Sequence, residues 1–124
     1  MTSIFNEFFN KDKEKRKAAE IIYKNDQPKN QDIIKVIAKI YGHVQGVGFR
    51  FTTVQLAKDL GVKGIVRNEN DGSVYVEALA GPETMDEFIS ELAKGPSPSA
   101  NVEKVVIKYD STIEDYTSFK NPYW

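Results

Sequence analysis

Between Ile34 and Tyr109 the spacing of apolar residues changes in a fixed order, period two, then about 3.6, then two, two, 3.6 and two again. That order confines the chain to very few folds. Ile34, Val36, Ala38 and Ile40 share one face of an extended segment whose other face carries Lys35 and Lys39. Arg50–Leu60 follows as a helix with Val54, Ala57 and Leu60 on one side and Gly61 as its stop. Strands are expected at about 63–68 and from Ser73, joined through Asn70-Asp71-Gly72. Gly81-Pro82 opens a second helix with Met85, Phe88, Ile89 and Leu92 at i, i+3, i+4, i+7, closed by Gly95-Pro96. Val102–Tyr109 reads as the last strand.

In a two-layer α+β domain, βαββαβ is the split β-α-β or ferredoxin-like sandwich. It has a four-stranded antiparallel sheet with both helices on one face, and leaves room for a short C-terminal edge strand. The helical crossover makes the first two strands parallel, with the third between them. Their C-terminal ends then share one rim, roughly 10 Å apart, close enough for two side chains to reach one small ligand.

Residues 1–31 differ in character from the rest of the chain. Lys11–Lys17 is a mixed charge run and Asn25–Asn30 reads as a linker. Phe5, Phe8, Phe9, Ala18, Ile21 and Ile22 fall at roughly helical spacing, so this part is expected to be an extension, either a marginal helix or a solvated arm. The domain itself is assigned to residues 32–124. With 124 residues, one modest core and one site are expected.

Composition removes several chemistries. There is no cysteine, so neither a disulfide framework nor a thiolate nucleophile is available. His43 is the only histidine, which rules out a multi-histidine metal site, and it is expected to face solvent. Metal-free chemistry is expected. A net charge of -1 gives no overall attraction to nucleic acid. The opening residues hold no uninterrupted apolar run of signal length, and no segment could span a bilayer, so a cytoplasmic location is expected.

At the end of the first strand lies Gly42-His43-Val44-Gln45-Gly46-Val47-Gly48-Phe49-Arg50, a glycine-bearing turn feeding a helix N-terminus. Such a turn can aim several N–H groups at one anion, and Arg50 adds a planar fork that matches phosphate oxygens. The Lys-Ser/Thr ending of a nucleotide loop and the G-x-G-x-x-G spacing are absent. An ordinary glycine turn with a surface arginine fits the same residues. At the second rim position stands Asn68, whose amide can hold a water by donating and accepting at once, or simply cap a turn.

The same nine residues closely resemble the first signature of the acylphosphatase family. Gly64-Ile65-Val66-Arg67-Asn68 with Gly72-Ser73-Val74 resembles the second, and similarity continues through Gly95–Ala100 to Asp115–Phe119, about three quarters of the chain. Ile65 stands where the family has an aromatic residue and Ala80 where it has glycine, and Asn121-Pro122-Tyr123-Trp124 is not the usual ending.

The resemblance implies a cofactor-free hydrolase that splits the carboxyl–phosphate bond of acyl phosphates. Val44, Gln45, Gly46, Val47, Gly48, Phe49 and Arg50 would hold the phosphate, while Arg50 and Asn68 would be catalytic. Inorganic phosphate would be the product. A monomer is expected, with self-association through the extension left open. Two other readings are a phosphate-sensing domain without catalysis and an RNA-binding module of the same layout, for which Tyr41 and Tyr75 would be the stacking pair.

Overall fold

Chain order in the computed structural model, which describes residues 19–122, is β1 (Glu20–Tyr23), β2 (Ile34–His43), α1 (Phe49–Leu60), β3 (Lys63–Asn68), β4 (Val74–Ala80), α2 (Pro82–Lys94), β5 (Asn101–Tyr109) and β6 (Phe119–Lys120). The expected βαββαβ order is present as β2, α1, β3, β4, α2 and β5. The sheet order is β1-β5-β2-β4-β3-β6, so the four central strands stand as a helical crossover requires. β4 lies between β2 and β3 and is antiparallel to both.

Two edge strands widen the sheet beyond four. The short C-terminal strand is β6, parallel to β3. The other is β1, parallel to β5 with Glu20 opposite Lys104 and Tyr23 opposite Ile107. Ile21 and Ile22, expected on a helix or in an arm, lie in a strand instead. The run Ile-Ile-Tyr is rich in β-forming side chains, and β5 offers it a free ladder edge. Asn25 then continues the ladder with its side chain, its amide donating to Tyr109 O at 3.0 Å and its Oδ1 accepting from Tyr109 N at 2.8 Å. The helix expected around Phe5, Phe8, Phe9 and Ala18 lies outside the described residues, as do Tyr123 and Trp124.

Alternation decides which face of the sheet the helices cover. Ile34, Val36, Ala38 and Ile40 are all buried, as are Val74, Val76 and Ala78 of β4 and Val105 and Ile107 of β5. Against them α1 turns Phe49, Thr53, Val54 and Ala57, and α2 turns Met85, Phe88, Ile89 and Leu92. Each fully buried Val, Ile, Leu or Phe contributes about 1.5–3 kcal/mol relative to an exposed one, so this face dominates the fold's stability.

Among the described residues no helix covers the other face. Tyr41 lies under Lys104 Nζ at 4.7 Å and Lys39 Nζ at 5.8 Å, and Tyr75 lies under the Arg67 guanidinium at 4.1 Å. Both rings named as a stacking pair for RNA are thus already covered by cations. Glu77 on this face accepts the hydroxyls of Tyr75 at 2.6 Å and Tyr116 at 2.5 Å.

Candidate active site

Pairing across the sheet fixes where Asn68 stands. It is opposite Val74, which is opposite Ile40, so these three residues form one line across β3, β4 and β2. Residues directly opposite share a face, and Val74 and Ile40 are fully buried beneath the helices. Asn68 therefore belongs to the helix-covered face, at the end where β2 runs on into the glycine loop. Arg67, its neighbour, points to the other face.

Arg50 is the second residue of α1, the helix that packs on the same face and starts at the same rim. It is half-buried, and its side chain forms no hydrogen bond or ion pair with another described residue. Asn68 is also half-buried, and its Oδ1 is buried without a hydrogen-bond partner among the described residues. A buried acceptor left unpaired costs about 1–3 kcal/mol, so such groups cluster where a ligand or water completes them. The first turn of α1, which carries Arg50, and Asn68 at the end of β3 thus belong to one face and one rim, and each brings unspent hydrogen-bonding capacity.

Between them runs Val44–Gly48. Gly46 and Gly48 take left-handed backbone angles, φ 73° and 76°, which a residue with a Cβ adopts only at a cost. Gly48 is the N-cap of α1 and supplies no side-chain acceptor. The first intrahelical bond is Thr52 N to Gly48 O at 3.1 Å, so the N–H groups of Phe49 and Arg50 have no acceptor within the helix. No acidic residue stands in the first turn of α1. The helix start thus keeps its partial positive charge for an anion.

The loop is held at several points. Val44 and Phe49 are each 1% exposed and pin its two ends in the core. The Gln45 amide reaches across the rim and donates to Glu69 O at 2.8 Å and Ser73 O at 2.9 Å. This ties the loop to the β3–β4 turn that follows Asn68. Ser97, itself buried, donates its hydroxyl to Val47 O. Because a trans peptide directs N–H and C=O to opposite sides, anchoring the Val47 carbonyl beneath the loop turns the Gly48 N–H away from Ser97.

The nearby carboxylates are engaged elsewhere. Glu69 pairs with Arg67 at 3.5 Å, and Asp71 accepts Ser73 N at 3.0 Å and Ser73 Oγ at 2.5 Å. Those hydrogen bonds hold the Asp71 carboxyl below the usual carboxylate range. His43 is exposed at the end of β2, as its position suggested.

Sequence reasoning named Gln45 for its place in the loop and did not foresee its side-chain bridge to the turn. Ser97 was missed as a contact of the loop, since fifty residues separate it from Val47; the only trace was its place inside the matching Gly95–Ala100 stretch. Two of the departures from the signature, Ala80 and Ile65, lie away from the rim. Ala80 pairs with Ile34 at the opposite end of the sheet, and Ile65 is half-buried beside β6. Among the described residues no group of three or more His, Cys, Asp or Glu could hold a metal ion.

Comparison with known proteins points to one family. The family model described as Acylphosphatase matches residues 36–121, a span that contains the loop, Arg50 and Asn68. A protein named Acylphosphatase from Enterococcus faecalis is 44% identical over 86 residues, 69% of this chain and 94% of the relative. Another of that name from Archaeoglobus fulgidus is 45% identical over 84 residues, 68% of this chain and 92% of the relative. The crystal structure of acylphosphatase from Bacillus subtilis matches with a TM-score of 0.69 at 27% identity, covering 73% of this chain and 99% of that one.

Proposed function

From the premise that this chain belongs to the acylphosphatase family and hydrolyses acyl phosphates to a carboxylate and inorganic phosphate, we propose that the reaction takes place between the α1 N-terminus and Asn68. The phosphoryl group sits against the loop amides of Val44–Arg50, and the Arg50 guanidinium neutralises two of its oxygens. Asn68 holds the water. The observation that carries this reading is the pairing of an unengaged Arg50 with an Asn68 whose Oδ1 lacks a partner, on one face and one rim.

The chemistry asks little more of the protein. Water oxygen bonds to phosphorus as the bond from phosphorus to the acyl oxygen breaks, and the carboxylate departs with the bonding pair. A carboxylate whose conjugate acid has a pKa of about 4 leaves without a general acid. Neither an amide nor a guanidinium can accept the water's proton, so it leaves on the phosphate product. Catalysis then comes from positioning and from fixed donors that meet the growing charge on the equatorial oxygens.

Acyl phosphate is the substrate class, and inorganic phosphate should compete with it as a product ligand. Among the described residues no helix is long and apolar enough to cross a membrane. The cytoplasm is the proposed location. The deciding assay follows hydrolysis of a synthetic acyl phosphate in the presence of chelator, beside Arg50→Ala and beside a simple phosphate monoester. Turnover of the acyl phosphate, at least 10²–10³-fold lower in Arg50→Ala, is the expected result. Full activity in Arg50→Ala, or a requirement for added metal, would overturn the site.

A further inference from the structure

The proposed site uses one end of the sheet and leaves one of its long edges open. β1 is the outermost strand beyond β5, and among the described residues nothing pairs with its outer side. Lys24 N donates to Ile107 O at 2.8 Å, and Lys24 is thus directed at β5. In a parallel ladder, alternate residues address opposite neighbours. Glu20, Ile22 and Lys24 therefore spend their backbone groups on β5, while Ile21 and Tyr23 turn theirs outward.

This edge presents apolar side chains between two charges. Ile21 is 38% and Tyr23 48% exposed, two of the four exposed large hydrophobic residues among those described. Glu20 and Lys24 are exposed and form no ion pair among the described residues. β1 is protected only by its shortness and by the charges of Glu20 and Lys24 at its two ends, and has neither a proline nor a bulge.

We propose that β1 pairs with β1 of a second copy of this chain, antiparallel, about a two-fold axis through Ile22. The outward backbone groups allow only three registers, because a hydrogen-bonded pair must be drawn from Ile21 and Tyr23. Setting Tyr23 against Tyr23 brings Glu20 opposite Asp26, two like charges. Setting Ile21 against Ile21 leaves Glu20 opposite Ile22 and gives it no cation across the interface. Setting Ile21 against Tyr23 forms two hydrogen-bonded pairs and places Glu20 opposite Lys24 twice. Only this last register satisfies both the apolar and the charged side chains.

The result is one sheet continuous across two chains. Five residues per copy bury well under the roughly 1,200 Å² of a stable interface, so the dimer is reversible and its population follows concentration. The catalytic rim, formed by β2, β3 and α1, lies away from β1 and stays open in it.

Charge exchange tests the register. Sedimentation of the full chain over a concentration series should show a rise from monomer toward dimer mass. Glu20→Lys alone and Lys24→Glu alone place like charges opposite each other twice, and each should weaken association roughly tenfold. An equimolar mixture of the two variants pairs a copy carrying two lysines with one carrying two glutamates, and should restore association to the original level. Acyl phosphate turnover per chain should be the same in all samples, which shows that each variant is folded. Dimerisation unchanged in the single variants, no recovery in the mixture, or monomer mass at every concentration, as would follow if residues 1–18 covered the edge, would each overturn the proposal.

Discussion

The hydroxyl of Ser97 donates to the carbonyl of Val47, joining the segment after α2 to the loop before α1. Gly48 follows that carbonyl directly, and a Cβ built on it would come within 4.0 Å of Ser97 Oγ, so the serine lies directly against the loop. One side chain thus fixes the orientation of a peptide that faces the proposed phosphate.

Ser97→Ala should therefore weaken phosphate binding more than it slows the bound reaction. Leaving the Val47 carbonyl without its donor costs about 1–3 kcal/mol, shared between folding stability and loop order. The expected outcome is a several-fold rise in both KM and the inhibition constant of inorganic phosphate, with kcat changed less. Steady-state kinetics beside a denaturant titration would separate the two contributions. A variant that loses stability yet keeps its phosphate inhibition constant would leave Ser97 no part in shaping the loop.

Asn68→Ala should do the reverse. Its Oδ1 is buried without a partner, so removing the amide deletes an unmet hydrogen-bond requirement and should leave stability unchanged or slightly higher. Turnover should fall on the order of 10²–10³-fold, while inhibition by inorganic phosphate stays nearly as it was. Thermal melting and single-turnover kinetics on the same sample make the comparison. Full activity would show that the amide does not hold the attacking water.

The order of elements was legible because each local pattern agreed with its neighbours. Ile34–Ile40 alternates and is buried on alternate residues, and Met85, Phe88, Ile89 and Leu92 form the inward face of α2 as their spacing required. The β1 strand was not legible, because Ile21 and Ile22 also suit a helical stripe and only the free edge of β5 decides between the two. The rim positions of Arg50 and Asn68 followed from topology, since a crossover brings two strand ends together. What held the loop did not follow, because the Ser97–Val47 and Gln45–Ser73 contacts join residues far apart in the chain, and no periodicity encodes such pairs.

Gly46→Ala tests backbone shape without crowding. No atom lies within 4 Å of a Cβ built at Gly46, so the substitution meets only the penalty of φ 73°. That penalty is about 1–2 kcal/mol. The loop can recover part of it by changing its angles, at the expense of the aimed amides. Stability should drop within this range and KM should rise, with the fold intact by circular dichroism. An unchanged KM together with unchanged stability would mean that this loop tolerates another path.

Alkaline pH should destabilise the protein through Glu77. Burial, then hydrogen bonding to the Glu77 carboxylate, raises both the Tyr75 and the Tyr116 hydroxyl well above the ordinary tyrosine range. For an acid held protonated by the fold, the stabilisation is complete below the unfolded pKa of about 10 and is lost as pH rises from there toward the folded value. Equilibrium unfolding should thus show stability falling above about pH 10. Replacing both tyrosines with phenylalanine removes the two groups that must ionise on unfolding and should flatten the decline, although it also leaves Glu77 without its donors and lowers stability at neutral pH. The slope against pH, rather than the absolute stability, is the measurement that decides. An identical slope in the double variant and the parent would show that neither hydroxyl is held protonated by Glu77.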